Sequence, residues 1–249
     1  MQINYGKWDL SAAEWLMMAA LALTGGMAVG WLFYDSLRAG SLLAVMAFPV
    51  IKKRYVRWRI QRRRQQFLLQ FRDLLYSVAS SVSVGRSMAL ALEESISFWQ
   101  GTYTEKDDIM TELHAMVRQM KESNARDLDV LWDLAARSGL SDVTDFVLVY
   151  ETCRTSGANL PKAIDRATGI IGDKIALERE LRTLMAQKRF EGRIVMISPF
   201  LVMLFLKIVS PGYLAPLTAS SSGYMVGTFA LGLIAIACVL TERVNHIEI

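Results

Sequence analysis

The chain has 249 residues, 53% hydrophobic and 21% charged, with a net charge of +4 and a mean hydropathy of +0.27. Such hydropathy beside so many charges means the two are segregated, which argues against an ordinary soluble domain and for membrane spans plus a polar domain. Cys153 and Cys238 lie in a polar and an apolar stretch and suit a reducing compartment rather than a disulfide; His114 and His246 lie too far apart in sequence for a histidine-rich metal site.

Lys7 is the one cation in residues 1–10, and Asp9 and Glu14 follow, which speaks against a cleaved secretory signal. Ala12 to Tyr34 is the first predicted span and carries Gly26-x-x-x-Gly30, a spacing that lets helix backbones approach. Asp35, Arg38 and Gly40 form a polar break, and the short apolar run Leu42 to Ile51 is expected to complete a hairpin over residues 1–51.

Residues 52–64 follow as a basic juxtamembrane segment with Lys52, Lys53, Arg54, Arg57, Arg59, Arg62, Arg63 and Arg64 and no acid. Basic residues beside a span stay cytoplasmic. Near the surface each is also worth about 1 kcal/mol towards anionic membrane lipid, a better partner here than nucleic acid. Tyr55 and Trp58 suit the interfacial zone.

Residues 65–193 form the polar domain, and no strand pattern occurs in it. Phe67, Leu68, Phe71, Leu74, Leu75, Val78 and Val82 make the stripe of an amphipathic helix. Gly85 ends that helix and Ser87 starts the next, Met88 to Trp99. Further helices are predicted at Asp107–Lys121, at Ala125–Arg137 capped by Asn124 and stopped by Gly139, and at Asp142–Arg154 capped by Ser141 and stopped by Gly157. Gly85-Arg-Ser87-Met88 to Glu93 echoes Gly157-Ala-Asn159-Leu160 to Asp165, so two hairpins with the same turn are expected, at structural positions Gly85, Ser87, Gly157 and Asn159.

Asn159-Leu160-Pro161 opens the longest helix, Asn159 to Val209, which runs from polar surroundings into an apolar stretch from Ile194. Ser210 to Ser222 lacks Lys and Arg and reads as a far-side loop; Tyr224 to Leu240 returns, giving a second hairpin over 194–240 and a tail over 241–249. Lys207, near the outer end of its span, is expected to snorkel. The expected fold is all-α: about four transmembrane helices, a cytoplasmic helical bundle and both termini inside.

No zinc-protease, nucleophile-elbow, phosphate-loop or paired-cysteine motif occurs in the sequence, so no catalytic, cofactor-binding or metal residue is assigned. Asp127, Asp129 and Asp133 read as a solvated acidic patch, and Cys153 as a small core residue. Glu151 and Glu178 suit polar contacts within the bundle or to a partner.

Phe71-Arg-Asp73-Leu74-Leu75, Gly85-x-Ser87-Met88-x-x-Ala91-Leu92 and Gly157-x-Asn159-Leu160-x-x-Ala163-Ile164 resemble the F-type domain of type II secretion and type IV pilus platform proteins. Pro211-Gly-Tyr213-Leu214-x-Pro216-Leu217 and Gly223-Tyr-Met225 are similar to the Tad (tight adherence) branch, whose order of spans also matches. The resemblance implies a non-enzymatic platform of the bacterial inner membrane, without a cofactor. Its implied partners are a cytoplasmic assembly ATPase, pilin or pseudopilin subunits, and a sister platform subunit or further copies of the chain. The faces around Gly85–Trp99 and Asn159–Arg182 would then meet the ATPase, with Glu93, Glu151, Asp165, Glu178 and Arg182 as candidate contacts. The alternative is a membrane-tethered signalling or scaffold protein that uses the basic segment to bind lipid.

Overall fold

A computed structural model describes Tyr5, Gly6 and residues 10–245; for residues 189, 211, 218, 219, 221 and 241–245 it describes the backbone alone. Every regular element among the described residues is an α-helix: α1 (Ala12–Tyr34), α2 (Leu37–Ser83), α3 (Met88–Trp99), α4 (Asp108–Glu122), α5 (Asp127–Ser138), α6 (Ser141–Ser156), α7 (Leu160–Val209), α8 (Pro211–Ala219) and α9 (Ser221–Asn245). The chain divides into two compact units, one of residues 1–9 and 56–177 and one of residues 10–55 and 178–249. The divisions after Tyr55 and after Leu177 fall inside α2 and α7.

In the first unit α2 supplies an unbroken apolar stripe, Phe67, Leu68, Phe71, Leu74, Leu75, Val78 and Val82, all buried. Burying one such side chain stabilises by roughly 1.5–3 kcal/mol, so this face decides how the bundle closes. Against it pack Leu92 of α3, Leu113 of α4, Leu134 of α5, Phe146 of α6 and Ile164 of α7, all in one core. The rings of Phe71 and Phe146 meet edge to face at 5.6 Å. Tyr5 belongs to the same core: it is fully buried, 4.6 Å from the Phe67 ring, and its backbone N–H donates to the Arg137 carbonyl at 3.3 Å. Tyr5 thus contributes to the bundle core from a point in the chain ahead of α1.

In the second unit α1 and the start of α2 lie antiparallel. A Cβ added to Gly26 would stand 2.7 Å from Ala44 Cβ, and one added to Gly30 would collide with the Gly40 backbone. The glycine pair thus sets the closest approach of two helices. Nearer the other end of α1, Tyr55 donates to Glu14 at 2.9 Å and Trp15 meets Phe48 edge to face. Asp35 at the turn adopts a left-handed φ of 50°.

Among the described residues three helices are long and apolar enough to cross a membrane: α1, the end of α7, and Ser222–Leu240 within α9. The chain is accordingly a helical membrane protein. The Leu42–Ile51 run is not among the three, because Arg38 on one side and Lys52, Lys53 and Arg54 on the other confine the apolar part of α2 to Ala39–Ile51.

Several local expectations are corrected. The basic residues 52–64 lie in the middle turns of the 47-residue α2. Asn124 does not cap α5 but takes a left-handed φ of 48°, which Asn tolerates, and Arg126 is the cap. Ser141 is the first residue of α6 and Leu140 its cap. The expected loop 210–222 contains α8, with Pro211 in its first turn, where the missing N–H costs nothing. The Lys7 and Asp9 readings, His246 and the last residues of the tail lie outside the described residues.

Candidate functional site

The two echoed turns have the same construction. Gly85 has φ 89° and Gly157 φ 70°, left-handed values that favour glycine. After each, a backbone N–H reaches five residues back: Arg86 to the Ser81 carbonyl and Ala158 to the Cys153 carbonyl, both at 3.2 Å. The next helix is capped by a side chain in each case. Ser87 Oγ accepts from Leu90 N–H at 3.3 Å, and Asn159 Oδ1 accepts from Lys162 N–H at 3.1 Å.

Of the candidate partner contacts, two are engaged within the bundle. Glu93 accepts from Lys121 of α4 at 2.5 Å, and Glu151 accepts from Trp132 of α5 at 3.3 Å. Asp165 and Arg182 lie on exposed positions of α7, and Glu178 is half-buried.

The basic residues of α2 divide into two groups. Arg63 turns inward, its Nε and Nη2 donating to Asp108 at 2.7 and 2.6 Å. That hydrogen bond raises the Arg63 pKa against the burial that opposes it. Arg64 is half-buried against the left-handed turn at Gly139, where an added Cβ would stand 2.7 Å from its guanidinium. Lys52, Lys53, Arg54, Arg57 and Arg62 are exposed, and Arg62 lies 5.3 Å over the Trp58 ring.

The most buried ionic group in the bundle was not foreseen. Glu112 is 1% exposed and receives both terminal nitrogens of Arg137, at 2.6 and 2.8 Å. Arg137 also donates to Asp133 at 2.8 Å, and the Tyr5 hydroxyl donates to Glu112 at 3.4 Å. Burial opposes the charge on Arg137, but its hydrogen bonds to Glu112 and Asp133 outweigh that and raise its pKa. Burial pushes the Tyr5 hydroxyl up as well, and the negative charge of Glu112 adds to it. The signal available was a carboxylate on an apolar stripe: Glu112 sits between Ile109 and Met116 on the buried face of α4.

The acidic patch of α5 is likewise shared out among arginines. Asp127 accepts from Tyr150 at 2.5 Å and from Arg154, and Asp129 pairs with Arg126 at 2.9 Å. Burial raises the Tyr150 pKa, and Asp127 adds to that. Among the described residues no three His, Cys, Asp or Glu side chains converge as metal ligands would. Cys153 is buried and Cys238 half-buried, both as free thiols.

Lys207 is held by the turn-side end of α1. Its ammonium donates to the Trp31 carbonyl and to Asp35 at 3.0 Å, and stands 4.2 Å over the Trp31 ring. It therefore binds the carbonyl end of α1, where a cation is favoured. Tyr34 adds a 2.9 Å hydrogen bond to Thr228 of α9 and stacks on Tyr224.

Comparison of the chain with family models, with curated proteins and with solved structures returned no match.

Proposed function

We propose that the chain is a platform subunit of a pilus or secretion assembly machine in a bacterial inner membrane, of the Tad branch of the type II secretion F-domain family, without an enzymatic activity of its own. The observation that carries this reading is α7. It starts at the Gly157 turn, buries Ile164 and Ile171 in the bundle core, and continues to Val209 without interruption. Its 50 residues extend about 75 Å at 1.5 Å per residue, enough to traverse a domain and a bilayer. A helix of that kind carries displacement between an ATPase on the bundle and a pilin in the membrane.

Four crossings, with the bundle and both termini in the cytoplasm, belong to the same proposal. Tyr5 lies in the core that α2 enters through Phe67. A chain that leaves the bundle after Tyr5 and re-enters it along α2 crosses an even number of times. With α1 as one crossing, Ala39–Ile51 of α2 is the other. It extends only about 20 Å, so Arg38 and Lys52 snorkel at its ends.

The test uses the full-length chain in lipid nanodiscs and the assembly ATPase produced by the same cells. Saturable binding that is lost when exposed positions near Glu93, Asp165 and Arg182 are reversed in charge supports the reading. Absence of binding, or labelling from outside intact cells of cysteines introduced at exposed bundle positions, overturns it. Crosslinkers placed from Pro199 to Phe205 are expected to capture pilin.

A further inference from the structure

We propose that the outward rows of α2, Lys53 and Arg57 with Arg54, Trp58 and Arg62, form a binding face for anionic phospholipid headgroups. The proposal rests on the reading that the apolar start of α2 lies in the bilayer.

Three observations select this face from a longer basic run. The first is the division of labour along the helix. Arg63, which pairs with Asp108 at 2.6 Å, and Arg64 are half-buried, whereas the side chains of Lys53, Arg54, Arg57 and Arg62 reach the surface. The second is spacing. Lys53 and Arg57 are four residues apart, as are Arg54, Trp58 and Arg62 in turn, so the five side chains form two adjacent rows on successive turns of one helix. The third is level. The rows begin two residues after Ile51, where the apolar part of α2 ends, and Tyr55 between them bonds Glu14 in the first turn of α1. That is the depth of lipid phosphates, where a half-exposed tryptophan under an arginine is also at home.

The occupant follows from charge complementarity. A row of cations with no acid between Lys52 and Arg64 attracts anions, and its position beside the apolar turns makes that anion a membrane phosphate rather than a soluble one. The rows hold one lysine and three arginines, and arginine's fork of donors matches phosphate oxygens.

The test reconstitutes the full-length chain in nanodiscs and measures motional restriction of spin-labelled phosphatidylglycerol against spin-labelled phosphatidylcholine. The wild-type chain is expected to restrict phosphatidylglycerol preferentially. Each cation removed from K53Q/R54Q/R57Q/R62Q is expected to lower that preference by up to about fivefold. The swap K53R/R54K/R57K/R62K is expected to keep it, and salt to weaken it. Unchanged hydrogen exchange in α4 confirms that the neutral variant is folded. Equal restriction of both lipids by the wild-type chain, or an undiminished preference in the neutral variant, overturns the proposal. So does loss of the preference to millimolar inorganic phosphate at constant ionic strength, which would mark a soluble ligand. ATPase binding is read on the same samples: its loss with lipid preference intact counts against the platform, and the reverse counts against this face alone.

Discussion

The α2–α3 and α6–α7 hairpins turn in the same way and then part. Each ends its first helix on a left-handed glycine and caps its second with a short polar side chain. Leu92 and Ile164, at equivalent positions after the two turns, are 2% and 1% exposed. The helix after the first turn stops at Trp99, where the indole donates to Ser77 of its own hairpin at 3.1 Å. The helix after the second continues for 50 residues. Local turn chemistry therefore sets how each hairpin closes, and the length of the apolar run behind it decides whether it stays in the bundle or leaves.

The largest effect on this comparison is expected from what lies between the hairpins. Glu112 and Arg137 tie α4 to α5, and Glu112 is nearly inaccessible. Glu112→Ala leaves a largely buried guanidinium without its main partner, which costs about 3–5 kcal/mol. Hydrogen exchange on the full chain in nanodiscs should show deprotection of α4 and α5 and of Tyr5. If protection is unchanged, the pair does not hold the two hairpins together.

Next come the equivalent aliphatic side chains. Leu92→Ala and Ile164→Ala each open a cavity in the one core they share and should each cost about 2–5 kcal/mol. A loss confined to α3 or to the start of α7 would mean that the hairpins fold as separate units.

Much of this was legible because it is local. Glycine followed by a capping Ser or Asn reads directly as a turn, and Ala12–Tyr34 reads as a long apolar helix. The continuity of α2 from Lys52 to Ser83 was also legible in principle, since no Pro or Gly lies in that stretch and Arg and Lys are good helix formers. Charge density hid it. Pro211, Gly212 and Pro216 made a loop of what is a short helix with proline in its first turn. The partners of Glu112, Arg63 and Lys207 were not legible, because each is set by tertiary approach of residues 25 to 176 positions apart.

The turns themselves are expected to be equally sensitive. A Cβ at Gly85 or Gly157 meets nothing within 4 Å, so the cost of substitution is backbone strain alone. Gly85→Val and Gly157→Val should each destabilise by about 1–3 kcal/mol. If the proposed platform role holds, only Gly157→Val is expected to abolish assembly at wild-type protein levels, because it disturbs the root of the 50-residue α7. Equal assembly defects would remove the distinction drawn between the two hairpins.

The caps give the smallest and sharpest comparison. Ser87→Ala and Asn159→Ala each free one helix N–H and should cost about 1 kcal/mol. The readout is exchange at Leu90 and Lys162, whose amides the two caps hold, and about a fivefold acceleration is expected at each. In the twelve-residue α3 the fraying should spread along the helix. In α7 it should stop within the first turns, because Ile164 and Ile171 pin the helix to the core. Fraying that reached Ile175 in α7 would mean that the long helix is not rigid from its root, which would count against the role proposed for it.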